Sequence, residues 1–572
     1  MRSRPRGKQL LVLLFSLALI ATACGGDDND NAGPKGKDGS SSSTASTIAK
    51  EDVPEGGTLV IGAEQEPDCA DWMGSCGGSS WGYWMMNVGT MPRAYDVVKE
   101  GDGYVNKPSI LLAGEPKLET DPKQEITYEI SEDAVWNDGE PVTSSDFKYT
   151  WDQIVNGADI YDQTGYKDIE SVDDSDPKVA VVTYKNNFAD WRSLFGGGYG
   201  IFPSHILEGK DRNAEMKDGY DFSAGPWVIE KWEKGSQITM VPNDKFWGDK
   251  PKLESVVFRI QADTSAEFAA FKSDQVSMIY PQPQLDAVDE IQAGIPGTQK
   301  VISTVTGNFE MLWFNNSKPP FDSKAVRKAV AYSIDRTALV KRLFGGLGLE
   351  EPLNVANAPL VADYSDVNAF EDYKLDLDQV DKLLTDDGYE KGSDDIYAKD
   401  GEKLSFTVRS TAGNARRELT EQIMQQQLKE AGIEMKIENA EAGDLFGDIL
   451  PKGDYQAAIY ASVLTGLTPG QCTQFCSENA PSEANEFSGQ NWTRTDIPEL
   501  DPLLQKIDSS LDEDERMQAG KDGDKVMAEE VPVLPIDPLP NTLLWSDKVV
   551  GPIDDNSVLG PFWNMNLWGM QS

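Results

Sequence analysis

The chain predicts an α/β fold built from several structural units. Its 572 residues amount to three or four such units at about 100–200 residues each. Short runs that are wholly apolar or that alternate, bounded by glycine and turn residues, recur along it and read as strands. Capped stretches of helical period lie between them. Over 404–437 the order is strand, helix, strand, which requires a crossover connection and a parallel pair. With 14 Trp, 18 Tyr and 20 Phe, the chain is too aromatic to be disordered for most of its length.

The elements follow in order. Leu59, Val60 and Ile61 stand between Gly56-Gly57 and Gly62, a buried strand. A segment rich in Trp, Gly and Ser comes next, holding Trp72, Trp81 and Trp84. Ile126, Tyr128 and Ile130 alternate as the inner face of a half-buried strand. Asn137-Asp138-Gly139 is a turn signal, after which Thr143 or Ser144 caps a helix through Phe147, Trp151 and Ile154. Gly225-Pro226-Trp227 opens a meander over 227–232, 237–241 and 255–260, and a helix occupies 264–273. Asp322 and Asp335 read as caps of two successive helices, the second closed by Gly345-Gly346. Residues 404–408 are a strand, 415–430 a helix ended by Gly432, and Ile433, Met435 and Ile437 a second strand.

The N-terminus sets the compartment. Arg2, Arg4, Arg6 and Lys8 precede an apolar run of 11 residues, Leu10 to Ile20. A transmembrane helix needs about 20, so the run reads as a signal-peptide core. It ends in Ala21-Thr22-Ala23-Cys24, small residues before a cysteine, which resembles the lipobox of bacterial lipoproteins. Cys24 is then the lipidated first residue of the mature chain, and 1–23 is removed. Residues 25–50 have no apolar period and read as a flexible tether. At about 5–6 Å times the square root of its length, the tether reaches about 25–30 Å.

Charge and composition exclude other classes. With 96 acidic against 52 basic residues, the formal charge of −44 is wrong for a nucleic-acid binder. Removing 1–23 takes four basic residues and no acids, which moves the net to −48 and suits a soluble surface protein. The single histidine, His205, rules out a multi-histidine zinc site. Beyond Cys24 there are four cysteines, which allow three pairings. The local one, Cys69 with Cys76 and Cys472 with Cys476, is expected outside the cell. The rival is a four-cysteine zinc site, whose usual Cys-x2-Cys knuckles are missing. Asp173-Asp174-Ser175-Asp176 and Asp386-Asp387 lack calcium-loop spacing and read as solvated turns.

Several motifs in fixed order carry a resemblance. They include GGTLVIG, AVWNDGEPVTSSDFKYTWDQI, GPWVIEKWEKGSQITMVPNDKFWGDKPKLESVVFRI, FNNSKPPFDSKAVRKAVAYSIDRTALV, GDYQAAIYASVLTGLTPG and NWTRTDIPELDPLLQKIDSSLDEDERMQAGKDGDKVMAEEVPVLPI. Together they resemble the peptide- and nickel-type solute-binding proteins of ABC importers, from about residue 56 to 550. The resemblance implies a two-lobed periplasmic-binding-protein-like fold, type II and of the large peptide-binding class, with a central ligand cleft. Lobe one would comprise 55–96, 221–308 and 528–572, with an inserted subdomain at 97–220, and lobe two 309–527, after a signal peptide 1–23 and a tether 24–54. Crossings near Thr306–Phe314 and Val531–Asp537 would form the hinge, and lobe closure would bury the ligand and present a surface to the permease.

The resemblance also implies where ligand is met. Family members that bind free peptides often hold the amino terminus with an aspartate a few residues before a proline. Aligned on Pro469, that position is Thr465, the preceding stacking tryptophan is Ser462, and no acid lies between Asp454 and Glu478. Ser462, Thr465, Trp313, Trp81 and Trp84 are therefore the candidate ligand contacts, pockets being largely apolar and aromatic with a few polar groups. Trp136, Trp227 and His205 fall in framework segments and read as structural, His205 not as a nickel ligand. The expected function is membrane-anchored capture of a peptide or peptide-like solute, delivered to ABC permease subunits by a monomer without cofactor, metal or catalytic residues. The alternatives are a surface receptor for a signal peptide, a binder of a sugar or metal chelate, and a secreted carboxylate-dependent hydrolase. No Gly-x-Ser-x-Gly, His-Glu-x-x-His or phosphate loop supports the last.

Overall fold

The computed structural model describes residues 50–571 except 102, 465 and 486, so the signal segment, Cys24, most of the tether and Thr465 lie outside the described residues. Two sheets organise the body. The first has seven strands, in the order Thr298–Ser303, Asn541–Ser546, Met278–Ile279, Thr58–Ala63, Ser255–Ile260, Gln237–Pro242 and Trp227–Glu233. Thr58–Ala63 runs parallel to both its neighbours, and the meander 227–260 is antiparallel, as its alternation predicts. The second has five strands, in the order Glu434–Ile437, Ser405–Arg409, Ala457–Val463, Asn308–Phe314 and Val533–Pro538. Here Ser405–Arg409 and Glu434–Ile437 are parallel, joined by the helix Ala415–Glu430. Asn414 caps that helix by accepting from Arg417 N, and Gly432 leaves it at φ +84, the left-handed conformation that glycine adopts without a Cβ penalty.

A four-stranded antiparallel sheet, Lys117–Glu119, Glu125–Glu129, Val179–Tyr184 and Ile169–Asp176, stands beside the first. The helix Ser144–Asn156 packs on it, started by a capping box in which Thr143 and Asp146 exchange hydrogen bonds. Buried side chains of this unit, such as Tyr128, Phe147 and Phe195, are continuous with Leu59, Trp227 and Phe258 of the seven-stranded sheet, so one core serves both. Trp136 is wholly buried and donates Nε1–H to Asp146 at 3.2 Å, and Trp227 is wholly buried too, as their framework reading expects. A second core lies around the five-stranded sheet and takes in Phe271, Ile279, Val288, Ile291 and Leu544 from elements of the first sheet and its helices, so apolar packing also joins the two halves. The result is two α/β lobes.

The chain passes between the two sheets at 304–307 and again at 539–540. The first passage overlaps the expected segment Thr306–Phe314 only at 306–307, because Asn308–Phe314 is itself a strand of the second lobe. The second falls later than expected, because Val533–Pro538 hydrogen-bonds along Asn308–Phe314 and is a strand of the second lobe. The first of the two paired helices is capped by Ser323, whose Oγ accepts from Val326 N, and not by Asp322; Asp335 caps the second as expected. Both local disulfides are present, Cys69–Cys76 and Cys472–Cys476, with Cα atoms 5.6 and 4.7 Å apart, which removes the zinc alternative.

Trp313 belongs to the second core. It is 1% exposed, stacks on Tyr460 with ring centroids 4.5 Å apart and on Phe475 at 5.8 Å, and donates Nε1–H to the Tyr460 carbonyl at 2.9 Å. It is a wall of the lobe and not of the cleft described below. Trp313→Ala is expected to lower unfolding stability by about 3–5 kcal/mol, the usual cost of emptying a large aromatic site. Urea denaturation measures this, and a loss under about 1 kcal/mol would contradict the packing.

Candidate functional site

A cavity of about 440 Å3 opens between the lobes. Its walls come from both: from the first lobe the helical segment 80–87, the loops at 161–166 and 188–199, Tyr280 and the stretch 556–560; from the second, the start of Asn308–Phe314, the loop after Ala457–Val463 and the helix Gln471–Phe475. The volume is within the range of small-molecule sites, about 300–1,000 Å3.

The aromatic wall is fixed by packing from behind. Trp84 lines the cavity and meets Tyr280, also lining, edge to face at 5.3 Å. Trp81 stands behind them, 3% exposed, edge-on to Trp84 at 5.6 Å and to Tyr280 at 6.3 Å. Trp84 is therefore placed at the cleft, whereas Trp81 supports it from the core. Gly560, at φ +86, approaches Trp84 so closely that a Cβ would sit 2.0 Å from its ring. The Tyr280 hydroxyl donates to buried Asp555 at 3.3 Å, and Asn541, a lining residue, donates to the same carboxylate at 3.1 Å. Burial pushes the Asp555 carboxyl above its usual range.

Side-chain amides and hydroxyls, with Asp162 and Asp190, supply the polar part of the lining. Ser462 is at the cavity, and its Oγ accepts from Gln474 Nε2 at 2.8 Å. Thr465 lies outside the described residues, although Leu464 and Gly466 beside it line the cavity. Gln471 donates to the Ala356 carbonyl, and Asn556 donates to the Val97 carbonyl while its oxygen accepts from Val558 N and Leu559 N. These bonds hold the amides in one orientation, the preorganisation a binding site needs. Two large apolar side chains remain more than half exposed here, Tyr161 at 55% on the first lobe and Val463 at 54% on the second.

The rim joins the lobes. Ala189 N donates to the Asp508 carbonyl at 2.8 Å, a bond from the first lobe to the second. Arg516 stands close by, donating to Thr468 Oγ1 at 2.8 Å. Burial raises the Asp190 carboxyl above its ordinary range, against the charge of Arg516. Burial and then the charge of Asp190 push Asp508 up to about 7. Among the described residues no group of three or more His, Cys, Asp or Glu side chains is placed to hold a metal ion. His205 pairs with Asp138 at 2.9 Å, away from the cavity lining. Sequence reasoning missed Tyr161, Asp162, Asp190, Gln471, Asn541 and Asn556. They lie in loops or at element ends and come together only through the fold, so no local pattern marks them.

Residues 107–479 match the family described as bacterial extracellular solute-binding proteins, family 5. The oligopeptide-binding protein AppA of Bacillus subtilis is 23% identical over 544 residues, 93% of each chain. The oligopeptide-binding protein OppA of Mycobacterium tuberculosis is 24% identical over 475 residues, 80% of this chain and 76% of its own. Among solved structures, a periplasmic EDTA-binding protein EppA superposes with a TM-score of 0.81 at 21% identity, covering 92% of this chain and all of its own. AppA of Bacillus subtilis with a bound nonapeptide superposes with a TM-score of 0.74 at 20% identity, covering 91% and 100%. At these identities the structural likenesses establish the two-lobed fold. The family match extends over more than half of the sequence, and the chain belongs to the bacterial extracellular solute-binding proteins of family 5, working outside the cytoplasm as a binding protein rather than an enzyme.

Proposed function

We propose that this protein captures a peptide or peptide-like solute in the cleft between its lobes and passes it to the permease of an ABC importer. The observation that carries the reading is the lining itself: aromatic rings and an exposed valine for apolar side chains, interleaved with oriented amides such as Asn541 and Gln471 for backbone groups. Peptide ligands are the common theme of the oligopeptide-binding relatives and of the AppA complex with a nonapeptide. A polycarboxylate chelate such as that named for the EDTA-binding neighbour would need cationic partners, and the described lining residues include no lysine, arginine or histidine. In this reading Trp84 and Ser462 contact the solute, Thr465 adjoins them, and the protein acts as a monomer tethered to the membrane through lipidated Cys24 and the segment 25–54.

Mass spectrometry of solute released from protein purified without denaturation tests the ligand class. Peptide masses are expected, and a non-peptide solute alone would overturn the reading. The Cys24→Ser variant is expected to move from the membrane fraction to the soluble fraction on immunoblots, and full retention on the membrane would refute the anchor.

A further inference from the structure

Among the described residues that line the cleft, the only formally charged ones are Asp162 and Asp190. Both belong to the inserted part of the first lobe. Asp162 is exposed, and its Oδ1 accepts from the backbone N and the hydroxyl of Thr164, at 3.0 and 2.8 Å, so the carboxylate is held in one orientation. Its carbonyl accepts the Tyr199 hydroxyl at 2.6 Å, which ties this loop to another part of the wall. Asp190 is partly buried at the rim. Behind the lining the charges are mixed: Arg516 and Arg192 act on Asp190, and Arg516 and Lys167 on Asp508, so the sign of the cleft is carried by the lining itself. Arg516, next to Thr468, faces two carboxylates, Asp190 and Asp508. Asp555 stands behind Tyr280 and Asn541, and Asp524 behind Gln471, but burial pushes both carboxyls up toward the neutral form, so they add little to the field of the cleft.

The rings around these carboxylates add to the same preference. Tyr161, Tyr166, Tyr199 and Phe188 line the cleft beside Asp162 and Asp190, and Trp84 and Tyr280 line it from the helical segment. Ring faces attract cations, and they do so more strongly as water is excluded. A ligand carboxylate would meet no opposite charge among these side chains and would be repelled by both acids.

We propose that the cleft selects a cationic peptide, with Asp162 and Asp190 meeting its ammonium or guanidinium groups against the aromatic wall. This rests on the peptide reading above and adds the sign of the charge to it. The test is calorimetric titration of ligand-stripped full-length protein with trilysine, trialanine and triglutamate, and with spermidine as a non-peptide cation. Because the chain carries a net charge of −44, a cation is attracted to its whole surface. The Asp162→Asn/Asp190→Asn variant is the arm that isolates the cleft. Expected is one-site binding of trilysine at least about tenfold tighter than of trialanine, no binding of triglutamate, and about a tenfold loss for trilysine alone in the double variant. Trialanine or triglutamate binding as tightly as trilysine would overturn the charge preference and leave the peptide reading standing. Spermidine binding at one site, lost in the double variant, with no peptide bound would sink the peptide reading and keep the preference for cations. Trilysine binding that is unchanged in the double variant would be surface attraction and would overturn the proposal, as would failure of every cationic probe to bind. The single Asp162→Asn change, on an exposed side chain, gives the same comparison should the double variant fold poorly.

Discussion

The two lobes are connected by a pair of chain crossings that are locked to each other. Thr306, wholly buried in the first crossing, shares its hydroxyl proton between the carbonyls of Asn308 and Leu539, each at 2.9 Å. Leu539 N in the second crossing donates to the Asn308 carbonyl, also at 2.9 Å. Gly307 lies so close to the chain after Ala457–Val463 that a Cβ would sit 2.2 Å from the Leu464 carbonyl. Two connections bonded side by side are the arrangement expected of a hinge.

A buried charge network anchors the hinge in the second lobe. Glu310 and Asp537 are direct partners across the strands Asn308–Phe314 and Val533–Pro538. Arg416 and Arg417, from the first turn of Ala415–Glu430, both bind Glu310, with Arg417 Nε at 2.6 Å. Their charges hold the Glu310 carboxyl down at about 2 against its burial. Asp537, fully buried beside Glu310, is pushed well above the ordinary range by burial and by that neighbouring charge. Breaking such a network by removing one partner costs far more than the network adds to stability, because it strands a buried charge. It lies next to the crossing, where the ladder between the two strands shifts register between Glu310 and Met311.

Local signals in the sequence translated directly into structure. The cap before Phe147 narrows to Thr143 or Ser144, of which the structure uses Thr143, and the helix over 415–430, its flanking parallel strands and the meander follow from patterns within single short stretches of chain. The second crossing did not, because whether Val533–Pro538 pairs with the first or the second sheet depends on a partner more than 200 residues away. Trp313 shows the same limit. Its strand meets the cavity at Asn308 and Phe309, and four residues further on, at about 3.3 Å per residue, Trp313 is about 13 Å deeper in the lobe. Its type suggested a pocket, but its distance along the strand made it core. Trp84 and Trp81 are three residues apart on one helical segment, and only their packing against Tyr280 and Gly560 separates the wall from its support.

The sharpest check on a hinged pair of lobes is small-angle scattering of full-length, ligand-stripped protein with and without its co-purifying solute. Closure about the crossings predicts a smaller radius of gyration at saturation, with an unchanged mass. An identical scattering profile at full occupancy would mean that the lobes do not move, and would contradict capture by closure.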